Sequence, residues 1–169
     1  LLKELAAIPD IRWIRLLYAY PNNFTDELIE YIAQEEKICK YLDIPLQHAD
    51  DEVLRRMNRK ITVAEIKALI AKLRARIPGI TLRSTFIVGF PGETEEEFET
   101  TYRFLEDIAF AQMHIFRYSV RKGTRAERMP EQIPEDVKAQ RRDTIMEIQQ
   151  TISFEKAEEK ECKELPVMV

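Results

Sequence analysis

The chain has 169 residues, 45% of them hydrophobic and 33% charged, with a formal net charge of -4. That balance fits one compact domain with a real core and excludes a disordered chain; no run of about 18 apolar residues is present, so no membrane span is predicted. An acidic balance without a long basic run argues against this segment as a nucleic-acid grip, which needs clustered Lys and Arg.

The N-terminus lacks the basic-then-apolar pattern of a signal peptide, which points to the cytoplasm. Cys39 and Cys162 are far apart and neither has a cysteine neighbour. They exclude a disulfide framework, a CxxC zinc site and an iron–sulfur site with three or four cysteines from this chain.

In chain order, Leu1 to Ile8 reads as the last turns of a helix that Pro9 and Asp10 end. Ile11 to Tyr20 (IRWIRLLYAY) is rich in β-formers and closed by Pro21-Asn22-Asn23, predicting a buried strand and a turn. Thr25 then caps a helix through about Ala33. A second strand is expected over Tyr41 to Gln47, with Leu42, Ile44 and Leu46 on one face and Asp43, Pro45 and Gln47 on the other.

A short helix at Asp51 to Met57 precedes a longer one capped by Thr62 and Glu65 and stopped at Pro78-Gly79. The central stretch is Leu82 to Thr94, LRSTFIVGFPGET: an apolar strand, a tight turn at Gly89 to Gly92, and a helix start with Thr94 and Glu97 as a capping box. Phe98, Tyr102 and Leu105 form that helix's predicted inner stripe. A fourth strand covers Gln112 to Ser119, a polar loop runs from Gly123 to Pro134, and a last helix spans about Glu135 to Glu164 with Ile145, Ile148 and Ile152 on one side.

Alternating strands and helices imply parallel pairing, and both an open flavodoxin-like sheet and a section of a barrel fit. The polar set on the strand face away from the helices favours a barrel: Arg15, Asp43, Gln47, Arg83, Thr85 and His114, joined by Phe116 and Tyr118. A buried face tolerates such residues only when they pair with one another or meet a polar ligand. Arg15, Arg83 and Asp43 fit either reading, His48 and His114 read as packing or interior histidines, and Glu95 to Glu97 and Arg141-Arg142 as solvated helix faces. In an α/β protein a ligand sits at the carboxyl ends of the strands, where Gln47 and the Gly89 turn fall.

YLDIPLQHADDEVLRRMNR (Tyr41 to Arg59), STFIVGFPGET (Ser84 to Thr94) and Tyr118-Ser119 with Gly123-Thr124 resemble the radical S-adenosylmethionine (SAM) methylthiotransferases over essentially the whole chain. Within that family LLYAYPNNFTDELIE and YLDIPLQHA are most similar to the enzymes acting on an aspartate of small-subunit ribosomal protein twelve. The tRNA-adenosine branch tends instead to a serine-glycine where this chain has His48-Ala49.

The resemblance implies a six-stranded partial TIM-like α/β barrel flanked by an auxiliary-cluster domain and a small β-barrel (TRAM). It implies two 4Fe–4S clusters, an electron donor, and SAM cleavage to a 5′-deoxyadenosyl radical that abstracts hydrogen from the substrate carbon. On this pattern residues 1–134 correspond to the later, four-stranded portion of the core, 135–164 to a linking helix and 165–169 to the first residues of TRAM. The chain lacks CxxxCxxC and the auxiliary cysteines, so the expectation is a fragment, inactive alone, of such an enzyme. A tRNA-modifying sister enzyme and a non-enzymatic module descended from the core are the alternatives. Carried over by position, the SAM-binding residues are Thr85, Ile87 and Gly89 on the fifth barrel strand, Gln47 on the fourth, Phe116 and Tyr118 on the sixth, and Arg83 toward a carboxylate.

Overall fold

The computed structural model describes residues 1–158 and Glu161. In chain order they form α1 (Leu2–Ala6), β1 (Ile14–Leu16), α2 (Asp26–Gln34), β2 (Ile38–Asp43), α3 (Asp51–Arg56), α4 (Val63–Arg76), β3 (Thr81–Val88), α5 (Glu95–Ile108), β4 (Gln112–Arg117) and α6 (Glu135–Glu158). Cys162, the expected end of the last helix at Glu164 and residues 165–169 lie outside the described residues.

Helix starts follow their caps. Thr25 Oγ1 accepts the Leu28 N–H at α2, and Thr62–Glu65 and Thr94–Glu97 close reciprocal capping boxes at α4 and α5. Each cap satisfies first-turn N–H groups that have no partner within the helix. Asp50 caps α3 by accepting from Glu52 and Val53. Among the described residues no helix is long and apolar enough to cross a membrane.

The strands pair in parallel in the order β1-β2-β3-β4, so spatial order follows chain order. With crossovers of one hand, that order returns every connecting helix to the same side, as in the wall of a barrel; a doubly wound sheet reverses direction and covers both faces. Burial along β3 agrees. Leu82, Ser84, Phe86 and Val88 are buried under the helices, while Thr81, Arg83, Thr85 and Ile87 alternate with them and stay half-buried. Under the helices lies a three-ring cluster of Phe86, Phe104 and Phe110, with centroids 6.0 to 6.5 Å apart.

Four expectations change. The strand read over Ile11 to Tyr20 shortens to Ile14–Leu16, an edge strand with a register shift between those two residues, and Trp13, Leu17, Tyr18 and Tyr20 are exposed. As the edge strand among the described residues, β1 has a ladder along one side only, with β2, so no second strand fixes the flanking residues in extended pairing. The strand read over Tyr41 to Gln47 starts earlier, at Ile38, and ends at Asp43; Pro45 has no N–H to give a ladder. Pairing resumes at one point, where Gln47 bridges Phe86. His114 is exposed rather than interior, because its face of β4 is the uncovered one. Phe104, absent from the predicted α5 stripe, is buried, whereas Tyr102 is half-buried.

Candidate functional site

The turn after β3 is fixed by its own chain. Gly89 and Gly92 adopt φ of 73° and 76°, a region that costs residues with a Cβ about 1–2 kcal/mol. Glu93, only 2% exposed, folds back so that both carboxylate oxygens accept the Gly89 N–H at 3.0 Å. Arg141 of α6 donates to Glu93 Oε1 at 2.7 Å and to its carbonyl at 3.1 Å, and Phe98 lies beneath the guanidinium. His48 Nε2 meets the other oxygen at 3.1 Å. His48 Nδ1 accepts the Asp50 N–H at 3.1 Å, which places the ring proton on Nε2, facing Glu93.

Burial pushes the Glu93 carboxyl up, but the His48 hydrogen bond, the Gly89 N–H and the Arg141 charge outweigh it and hold the group below the ordinary carboxylate range. On the other side of the turn, Arg56 makes a two-pronged pair with Glu97 at 2.9 and 2.7 Å and donates to the Gly92 carbonyl at 3.2 Å. The readings of Arg141 and Glu97 as solvated therefore fail. Both lie where helices pack against the turn, and their partners are more than 40 residues away in sequence.

Beside this turn, at the carboxyl ends of the strands, two clefts adjoin. One, of about 410 Å³, has Ile87, Phe90, Tyr118 and Met57 as its apolar lining; the other, of about 340 Å³, is lined by Thr85, His114, Phe116 and Tyr20. Gln47 and Arg59 border both. Gln47 has φ of 78°, and its backbone is held on β3 by the bonds Gln47 N–H to Thr85 O and Ile87 N–H to Gln47 O, each 2.8 Å. Tyr18 and Asn58, also at positive φ, line one cleft each. Strained residues that the surrounding structure holds in place concentrate at ligand sites.

Charge in the clefts is one-sided. Arg56, Arg59 and Arg125 line them, and no Asp or Glu does. Arg56 is committed to Glu97, but the Arg59 and Arg125 guanidinium groups have no hydrogen bond or ion pair among the described residues. The Tyr118 hydroxyl is buried without a hydrogen-bond partner among the described residues, and burial followed by the nearby Glu127 charge pushes its pKa up. An apolar floor with an unpaired hydroxyl, an amide and free cations suits a flat, partly apolar ligand that ends in a carboxylate.

Of the residues singled out from sequence, Gln47, Thr85, Ile87, Phe116 and Tyr118 come together around the clefts. Two do not. Arg83 Nη1 pairs with fully buried Asp43 at 2.8 Å, and its Nη2 lies against His114. Arg15 instead stacks on Tyr41, 4.0 Å from the ring centre. Gly89 has its N–H taken by Glu93, and a Cβ there would lie 2.3 Å from Lys138 Cγ, so its close approach is to α6. Sequence reading missed Arg59, although it ends the quoted stretch Tyr41 to Arg59; the α3 turn brings it back, its N–H bonding Leu54 O at 2.8 Å.

A metal centre does not fit these residues. Among the described residues no group of three or more His, Cys, Asp or Glu could hold an ion, Cys39 is free, and the chain has only two cysteines.

A parallel α/β wall with a cationic cleft at the carboxyl ends of its strands places the chain in the barrel class. The likeness to known proteins narrows the class. Residues 1–105 match the Radical SAM superfamily, and the chain belongs to it. It is 53% identical over 154 residues to "Ribosomal protein uS12 methylthiotransferase RimO" of Geotalea uraniireducens, covering 91% of this chain and 34% of that protein. The protein of the same name from Heliobacterium modesticaldum is 50% identical over 169 residues, covering 100% of this chain and 37% of its own length. The chain thus spans about a third of the relatives it matches. Among solved structures, "Coproporphyrinogen III oxidase (HemN) from Escherichia coli is a Radical SAM enzyme" superposes with a TM-score of 0.61 over 84% of this chain and 31% of that one, at 23% identity. That likeness bears out the barrel-wall fold.

Proposed function

We propose that this chain is the SAM-binding part of a methylthiotransferase that attaches a methylthio group to the β-carbon of an aspartate in small-subunit ribosomal protein uS12. The observation that carries this reading is identity of about 50% along the full length of the chain, through α6, to proteins of that name. Residues 1–134 would be the later portion of the core and 135–164 the linking helix, with TRAM beginning at 165–169. The setting would be the cytoplasm, with an electron donor as a further partner.

In this reading the adenosine lies on Ile87 and Tyr118, with Phe116 and Thr85 bordering the adjoining cleft and Gln47 offering its amide between them. We assign the ligand carboxylate to Arg59, because Arg83 is already paired with Asp43 and serves by holding the strand face in register. Gly89 contributes by shaping the turn. SAM bound there would supply the hydrogen abstraction once one electron from a cluster held outside this chain had cleaved it. The two cysteines cannot hold a cluster, so cluster ligands must come from outside this chain, and the chain alone should cleave no SAM.

The test is a chimera: the chain replaces the matching segment of the Geotalea relative, and the reconstituted enzyme is incubated with uS12. Mass spectrometry is expected to find one methylthio group on an aspartate. A modified adenosine in tRNA, with uS12 untouched, would overturn the substrate assignment; no SAM cleavage by a chimera that carries its clusters would overturn the whole reading.

A further inference from the structure

The chain pairs most of its cations. Arg55, Arg56, Lys72, Arg83, Arg103 and Arg141 meet carboxylates, and Lys37, Lys40 and Arg74 meet backbone carbonyls. A different pattern holds in the two loops that carry Arg59 and Arg125 to the first cleft. Arg59, Lys60, Arg121, Lys122, Arg125 and Arg128 have no side-chain hydrogen bond or ion pair among the described residues. Arg59 and Arg125 line that cleft from two different loops, and the other four stand within four residues of one or the other in the chain. From 117 to 128 there are five cations and one carboxylate, and that carboxylate, Glu127, accepts the Gly123 N–H at 2.6 Å. Whole-chain charge, at -4, hides this collar.

Unpaired cations held on loops around a cleft repel one another, and a multivalent anion relieves that repulsion. We propose that this collar, apart from Arg59, binds the phosphate backbone of RNA surrounding the protein substrate at the cleft. The choice of RNA over an acidic protein rests on the proposed function, since a ribosomal protein is set among RNA.

The experiment uses this chain and a short fluorescein-labelled single-stranded RNA, with anisotropy followed in rising KCl. With about four phosphate contacts, log Kd is expected to rise with log salt at a slope of about 3. In the triple variant Arg121→Gln, Lys122→Gln, Arg128→Gln, the slope falls by about 2 and binding near 0.1 M salt weakens tenfold or more. Circular dichroism and S-adenosylhomocysteine affinity stay unchanged in that variant, because none of the three lines a cleft. No RNA binding at low salt, an unchanged slope in the triple variant, or displacement of RNA by polyglutamate at equal charge concentration would overturn the inference. The assay contains neither uS12 nor clusters, so its failure alongside an active chimera removes the RNA contact alone.

Discussion

Glu93→Ala is expected to destabilise the chain by about 3–5 kcal/mol, read as a lower urea midpoint at an unchanged slope. The carboxylate is the common partner of Arg141, His48 and the Gly89 N–H, and its removal leaves a guanidinium that is 6% exposed with only the exposed Glu95 carboxylate, at 3.0 Å, and the Glu93 carbonyl. A buried charge without its partner costs more than the pair contributed, and the orphaned N–H adds to it. Against a domain stability of about 5–15 kcal/mol, this single change removes a large share. Combined with Arg141→Ala, the loss should be well below the sum of the two, because each variant breaks the same contact. A loss under about 1 kcal/mol would show that water replaces the network at no cost.

The same carboxylate sets a pH dependence. Its pKa in the folded chain is depressed below its unfolded value of about 4.3. The stability it contributes is therefore fully present above that value and is lost as pH falls through the folded one. Glu97, held down by Arg56 against the opposing effect of burial, acts in the same direction. Acid unfolding should begin below about pH 4.5, and Glu93→Gln, which cannot titrate, should show a shallower acid limb than the parent.

Gly89→Ala is expected to cost about 2–4 kcal/mol and to weaken ligand binding at the first cleft. The φ of 73° accounts for about 1–2 kcal/mol. The rest follows from the new Cβ meeting buried Lys138 at 2.3 Å, which forces that side chain to move. Lys138 Nζ lies 5.3 Å from the Tyr118 ring centre and bonds Glu135 at 2.7 Å, so its displacement disturbs a cleft wall and the start of α6 together. Gly92→Ala is the control, because its Cβ meets a flexible Glu131 oxygen at 3.3 Å and Arg56 Nε at an ordinary contact distance of 3.8 Å, so its cost should be the φ strain alone. Equal losses in the two variants would contradict the role given to Lys138.

What the sequence made legible was local. The threonine caps, the turn at Gly89 to Gly92 and the alternation along Leu82 to Val88 are each written within a few neighbouring residues, and each forms as read. The polar strand face was legible too, because Arg83, Thr85 and Ile87 share one side by period two. What stayed hidden depends on distant partners. Nothing near Glu93 announces that it will be buried by His48 and Arg141, 45 and 48 residues away, and nothing near Arg59 shows that two clefts will meet at it. The strand at Ile11 to Tyr20 was overread because β-propensity records side-chain fit and says nothing of how many neighbours a strand will have.

The most direct test of the account is the binding of S-adenosylhomocysteine, which keeps the adenosine and the amino-acid end of SAM, to this chain alone. Amide shifts followed by NMR should centre on Gln47, Arg59, Ile87 and Tyr118, and Arg59→Ala should weaken binding by roughly 10- to 100-fold, as expected for losing about 1.5–3 kcal/mol of a charged hydrogen bond. Shifts elsewhere on the chain, or equal affinity in the Arg59 variant, would contradict the site.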